Sequence, residues 1–134
     1  MALKTTVKDM VAAANAEIET IPVEQARAML EDADVQFVDI RDVRELERDG
    51  MIPGAFHAPR GMLEFWVDPE SPYHKEIFAS GRTFVFYCAS AWRSALATKA
   101  VQDMGLERVA HLEGGFGNWK KNGGAVAERP SRKD

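Results

Sequence analysis

The chain has 134 residues and a mass of 14.9 kDa, room for one compact domain with a core of its own. Hydrophobic residues at 46% and charged ones at 28% exclude a disordered chain, and a lone cysteine, Cys88, excludes an internal disulfide. The 17 Lys and Arg against 21 Asp and Glu give a net charge of −4, which argues against nucleic acid as the main partner. No stretch reaches the roughly 18 apolar residues of a membrane span, and the opening residues, broken by Asp9 and Glu17, lack the apolar run and processing site of a signal peptide. With a single cysteine, this makes a cytoplasmic, reduced setting the expectation.

Val7, Met10, Val11, Ala14 and Ile18 share one helical face, so residues 6–18 read as an amphipathic helix. That stripe fits packing on its own domain or on a second copy, which leaves a homodimer open. A second helix starts near Pro22 and turns Val23, Ala26 and Leu30 inward. VQFVDI (35–40) reads as a strand, and the charged run DVRELERDG as a helix stopped by Gly50. Pro53 and Gly54 form a turn before a short strand at 55–58. MLEFWV (62–67) is aromatic-rich, and a helix is expected at 73–79. TFVFY (83–87) is the clearest buried strand; a helix then runs to Met104 and stops at Gly105. RVAHL (108–112) is the last strand, and GGFGNWKKNG turns into a short helix with Trp119 in the core. Helices alternating with short apolar strands predict an α/β domain with a mostly parallel sheet.

The segment CASAWRS carries the chemistry. Cys88, Ala89, Ser90, Ala91 and Trp92 connect a buried strand to a helix, so they sit on the rim where α/β sheets hold ligands. The small side chains let the backbone curl with its N–H groups inward, a cradle for sulfate-, thiosulfate- or phosphate-like oxygens. The same field favours the thiolate of Cys88 as nucleophile. Arg93 brings a fixed positive charge and up to five donors. These residues alone point to thiolate-dependent anion chemistry and leave the transferred atom open.

Four pieces of sequence together resemble the rhodanese-like domain family: IPVEQARAML, FVDIRDVRELERDGMIPGA, CASAWRS and HLEGGFGNW. They span about residues 20–122 in the family's order. The resemblance implies a three-layer domain, a five-stranded parallel sheet flanked by helices, over 20–127. Residues 1–19 form an amino-terminal helical extension and 128–134 a flexible tail. It further implies a single-domain sulfurtransferase of the thiosulfate sulfurtransferase type. A sulfane sulfur passes from thiosulfate or a persulfide, through a persulfide on Cys88, to cyanide or a cellular thiol or protein. The catalytic residues would be Cys88 and Arg93. Ala89, Ser90, Ala91, Trp92 and Arg41 would bind substrate, with Asp39 supporting the loop through hydrogen bonds.

Each role has a plainer alternative. Trp92 forms a wall of the pocket, or it packs over Phe65 or Trp66. Asp39 shapes the loop, or it caps the next helix. Arg41 meets an anionic donor, or it pairs with Glu45 four residues on. Ala91 stands where the family often has glycine, and Met51 where it commonly has histidine. His57, His74 and His111 have no metal-site spacing and read as strand, surface or capping residues, and no nucleotide fingerprint occurs, so neither metal nor cofactor is expected. Two other functions compete: a sulfur carrier or regulatory module that binds a partner protein without turnover, and a cysteine-dependent phosphatase or arsenate reductase. The phosphatase relatives of this fold have a loop one residue longer than CASAWR, which favours sulfur.

Overall fold

The computed structural model describes residues 2–130. The helices are α1 (Val7–Asn15), α2 (Val23–Met29), α3 (Val43–Asp49), α4 (Leu63–Val67), α5 (Trp92–Met104) and α6 (Gly115–Lys121). The strands are β1 (Glu19–Ile21), β2 (Val35–Asp39), β3 (Phe56–His57), β4 (Thr83–Tyr87) and β5 (Val109–Leu112). They form one sheet in the order β1-β5-β4-β2-β3, and every pairing is parallel. Strand ends therefore share a rim, with Asp39 level with Tyr87.

Burial on both faces explains why β2, β4 and β5 read as nearly unbroken apolar runs. Side chains alternate between faces. Val38, Phe84, Phe86 and Cys88 pack against α4 and α5 through Leu63, Ala97 and Val101. Phe37, Val85, Tyr87 and Leu112 point the other way, against Val23 and Ala26 of α2 and Phe116 and Trp119 of α6. Helix α3 starts with a capping box: Asp42 accepts from its first turn and Glu45 reaches back to the Asp42 N–H.

The amino-terminal helix lies on its own domain. Val11 and Ala14 are buried against Ala95 of α5, with Ile18 and Leu96 alongside. Burial of Val11 contributes about 1.5–2 kcal/mol. The helix ends at Asn15, earlier than the stripe through Ile18 predicts, because the chain must turn into β1.

Two elements differ from what the local sequence pattern predicts. The fifth strand that the resemblance implies is β1, which no local pattern places: it has three residues, only Ile21 is buried, and so brief a segment carries no alternation to read. Residues 73–79 form only a 3-10 turn at Glu76–Ala79. The Lys75 amide is spent on the Trp66 carbonyl and the His74 amide on Ser71, which leaves too few residues to coil further. At the far end, Met51 and Ala127 exchange two backbone hydrogen bonds, and residues 128–130 have no regular structure. The rest of the expected tail, 131–134, lies outside the described residues. No described helix is long and apolar enough to cross a membrane.

Candidate active site

Between the end of β4 and the start of α5, the backbone reverses through Ala91, the sole non-glycine residue with positive φ among those described (φ 83°, ψ −3°). Two carbonyls are pinned from behind: Phe116 N–H donates to the Cys88 carbonyl at 2.8 Å and Gly117 N–H to that of Ala89 at 3.1 Å. With the carbonyls facing α6, later amides turn inward. Ala91 N–H donates to Cys88 Sγ at 3.2 Å, and Ser94 N–H does so at 3.3 Å. Two main-chain donors from a helix start converge on one sulfur, which stabilises negative charge there. The Cys88 side chain is fully buried beneath this loop.

An alanine held in the left-handed region is strained. Ala91→Gly is expected to stabilise the fold by about 0.5–1 kcal/mol, read from the midpoint of urea unfolding. An unchanged midpoint would mean the loop relaxes elsewhere.

Arg93 sits at the loop's end, and its head group is held by α3. Its two terminal nitrogens donate to the Glu45 carboxylate at 2.9 and 3.0 Å, a bidentate pair joining the loop to α3. Hydrogen bonding to Arg93 holds the Glu45 carboxyl below its ordinary range, and the same contact raises Arg93. Glu45 is thus the partner of Arg93, not of Arg41. Trp92 is 48% exposed, and none of the aromatic pairs among the described residues includes it; Phe65 pairs with Tyr73 and Trp66 with Phe56. The expected packing of Trp92 over those two rings is not made.

Arg41 and Asp39 require correction. The Arg41 head group is buried: it donates to both Asp39 oxygens, at 2.7 Å for the shortest contact, and to the Gly50 carbonyl at 2.8 Å. It also stacks on the Phe116 ring at 4.4 Å. At 1% exposure it lies out of an anionic donor's reach. Asp39 spends its carboxylate on Arg41, and it shares the sheet face of Phe37, opposite to Cys88. It therefore supports Arg41 instead of the loop, and Asp42 caps the helix. On that same face the Tyr87 hydroxyl accepts from the Ile52 N–H at 3.1 Å, and burial, then Asp39, pushes its ionisation upward.

Two residues that sequence reasoning did not assign complete the site. Ser94 Oγ lies 3.6 Å from Cys88 Sγ and 2.9 Å from His111 Nδ1. Beyond the ring, His111 Nε2 meets Asn15 Oδ1 at 3.0 Å and Thr20 Oγ1 at 3.2 Å. His111 is 1% exposed, and burial pushes its pKa down to about 4. The available signal was a polar residue inside the otherwise apolar run of β5, which must find partners. His57 and His74 bond to the carbonyls of Arg41 and Trp66. Among the described residues no cluster of His, Cys, Asp and Glu forms a metal site.

Comparison with known proteins adds the following. The family model described as "Rhodanese-like domain" matches residues 22–122. A solved structure of a protein of unknown function, possible tyrosine phosphatase, from Rhodopseudomonas palustris CGA009 is 53% identical, with a TM-score of 0.92. That match covers 95% of this chain and 98% of the other. The polysulfide-sulfur transferase homodimer from Wolinella succinogenes is 28% identical, with a TM-score of 0.68, covering 91% of this chain and 87% of the other. The mouse thiosulfate sulfurtransferase/rhodanese-like domain-containing protein 3 is 24% identical over 71% of this chain, which spans 64% of that protein.

Proposed function

Because this chain belongs to the rhodanese-like domain family, we propose that it is a sulfurtransferase carrying a sulfane sulfur on Cys88. The observation that carries this reading is the pair of amides, from Ala91 and Ser94, aimed at Cys88 Sγ. The thiolate attacks the outer sulfur of thiosulfate or of a persulfide. A new S–S bond forms, the donor's own bond breaks, and sulfite or a thiolate leaves with the electron pair. A thiophilic acceptor, cyanide or a cellular thiol or protein, then takes the terminal sulfur and returns the pair to Cys88. The covalent intermediate divides one transfer into two easier ones.

In this reading the Ala91 and Ser94 amides stabilise the sulfur anion, while Ala89 and Ser90 leave the loop interior free of bulk. Trp92, at the exposed lip, meets the acceptor. Arg93 exchanges the Glu45 carboxylate for the donor's oxyanion, a swap of one anionic partner for another on the loop's one cation.

The test is intact-mass analysis after incubation with thiosulfate. The wild-type chain is expected to gain the mass of one sulfur atom, lost again on adding cyanide, and Cys88→Ser is expected to gain none. Sulfur on Cys88→Ser would sink the assignment. The likeness to the R. palustris protein described as a possible tyrosine phosphatase supports a second reading. Four residues separate Cys88 from Arg93, a tight ring for a phosphate. Hydrolysis of a phosphotyrosine peptide that is lost in Cys88→Ser, without sulfur loading of the wild type, would establish the phosphatase instead.

A further inference from the structure

From Cys88 to Thr98 the chain carries one cation, Arg93, and the protein has already given it an anion. Both Glu45 oxygens accept from its terminal nitrogens, at 2.9 and 3.0 Å, so the guanidinium fork is closed end-on by a carboxylate from α3. That carboxylate is held from its own helix as well, since Oε2 accepts the Asp42 N–H at 3.2 Å in the capping box. The contact with Arg93, then the charge of Arg41, keeps Glu45 ionised at neutral pH. The pair is not sealed. Arg93 is 43% and Glu45 20% exposed, where Arg41 and Asp39 are 1% and 0%. A solute anion can therefore reach Arg93, and Cys88 lies within its field.

We propose that Glu45 is a specificity-determining residue: its carboxylate competes with anionic donors for Arg93, and so sets how readily the site takes a sulfur donor with a free oxyanion end. The proposal rests on the sulfurtransferase reading and names the donor feature that the site holds back. A sulfonate end such as that of thiosulfate must displace the carboxylate or share the guanidinium with it. Displacement breaks two charge-assisted hydrogen bonds, and sharing sets two anions side by side on one cation. A donor uncharged at that end leaves the pair as it is. The gain of an anion at Arg93 is thus a difference between two partners. If Glu45 merely steadied Arg93 for the donor, removing its charge would weaken anion uptake. Competition predicts the opposite sign.

The test compares alkylation of Cys88 by iodoacetate and by iodoacetamide. Each brings the same carbon to the sulfur: an S–C bond forms, and iodide leaves with the pair of the C–I bond. The reagents differ in the charge of their far end. In Glu45→Gln the amide oxygen still accepts from Arg93, and glutamine also serves in a capping box, but the charge is gone. The iodoacetate-to-iodoacetamide rate ratio is expected to rise about fivefold over wild type. Glu47→Gln removes the same charge from another face of α3 and is expected to keep the wild-type ratio.

An unchanged ratio in Glu45→Gln overturns the competition. A lowered one does too, since Glu45 then holds Arg93 for the anion, and so does an equal rise in Glu47→Gln, which is a response to net charge alone. With thiosulfate, the half-saturating concentration for sulfur loading is expected to fall by the same factor in Glu45→Gln while the maximal rate is kept. Alkylation needs no donor. Failed loading of the wild type with a raised ratio counts against sulfur transfer alone, and normal loading with an unchanged ratio against the role of Glu45 alone. Should Cys88 resist both reagents, the half-saturating thiosulfate concentration decides by its direction of change. A Cys88 that takes up neither reagent nor sulfur overturns both.

Discussion

Asp39→Ala is expected to destabilise the fold by about 3–5 kcal/mol, because it strands a guanidinium in the interior. Asp39 is 0% and Arg41 1% exposed, so neither charge has water to fall back on. Four hydrogen bonds run from Arg41 to the Asp39 carboxylate, one of them from the backbone. Once that carboxylate is gone, the Gly50 carbonyl and the Phe116 and Tyr87 ring faces remain. A surface pair would not behave this way: Arg44 and Asp42, both well exposed, contribute about 0–1 kcal/mol. Urea unfolding measures the loss, which should change little with salt because the pair is buried. Sulfur loading of the fraction that stays folded should be close to wild type, since Asp39 faces away from Cys88. A loss of under about 1 kcal/mol would mean that water reaches the pair.

The contrast between Asp39 and Cys88 marks what a sequence can show. VQFVD and TFVFY announced themselves as strands because burial on two faces leaves an apolar run, and the place of Cys88 on the rim followed from a strand meeting a helix. The curl at Ala91 was likewise foreseeable from the small residues there. Which face a side chain takes, and what it meets, depends on register between strands remote in sequence. Asp39 and Arg41 lie two residues apart on one face, yet the burial of that pair is made by Phe116, 75 positions further on. The Arg93–Glu45 pair spans 48 residues and the His111–Asn15 bond 96. No local pattern encodes such meetings. A three-residue edge strand such as β1 escapes for a different reason, since it takes its conformation from β5 beside it.

Gly115→Ala is expected to cost about 2–4 kcal/mol and to reduce sulfur loading about a hundredfold. Gly115 has φ +68°, and a Cβ there would lie 2.6 Å from the Cys88 carbonyl oxygen and 2.7 Å from the Ala89 carbonyl carbon and oxygen. These are backbone atoms of the active loop, held in turn by the Phe116 and Gly117 amides, and they cannot swing aside as a side chain would. Room for the methyl group comes only by pushing the loop off α6. That movement breaks both hydrogen bonds and carries the Ala91 and Ser94 amides away from the sulfur. Gly81→Ala separates this from strain alone: φ is +80° there, but nothing lies within 4 Å of the added carbon. It should cost about 1 kcal/mol and leave loading unchanged. If Gly115→Ala loaded sulfur as well as Gly81→Ala does, the support of the loop by α6 would not govern the chemistry at Cys88.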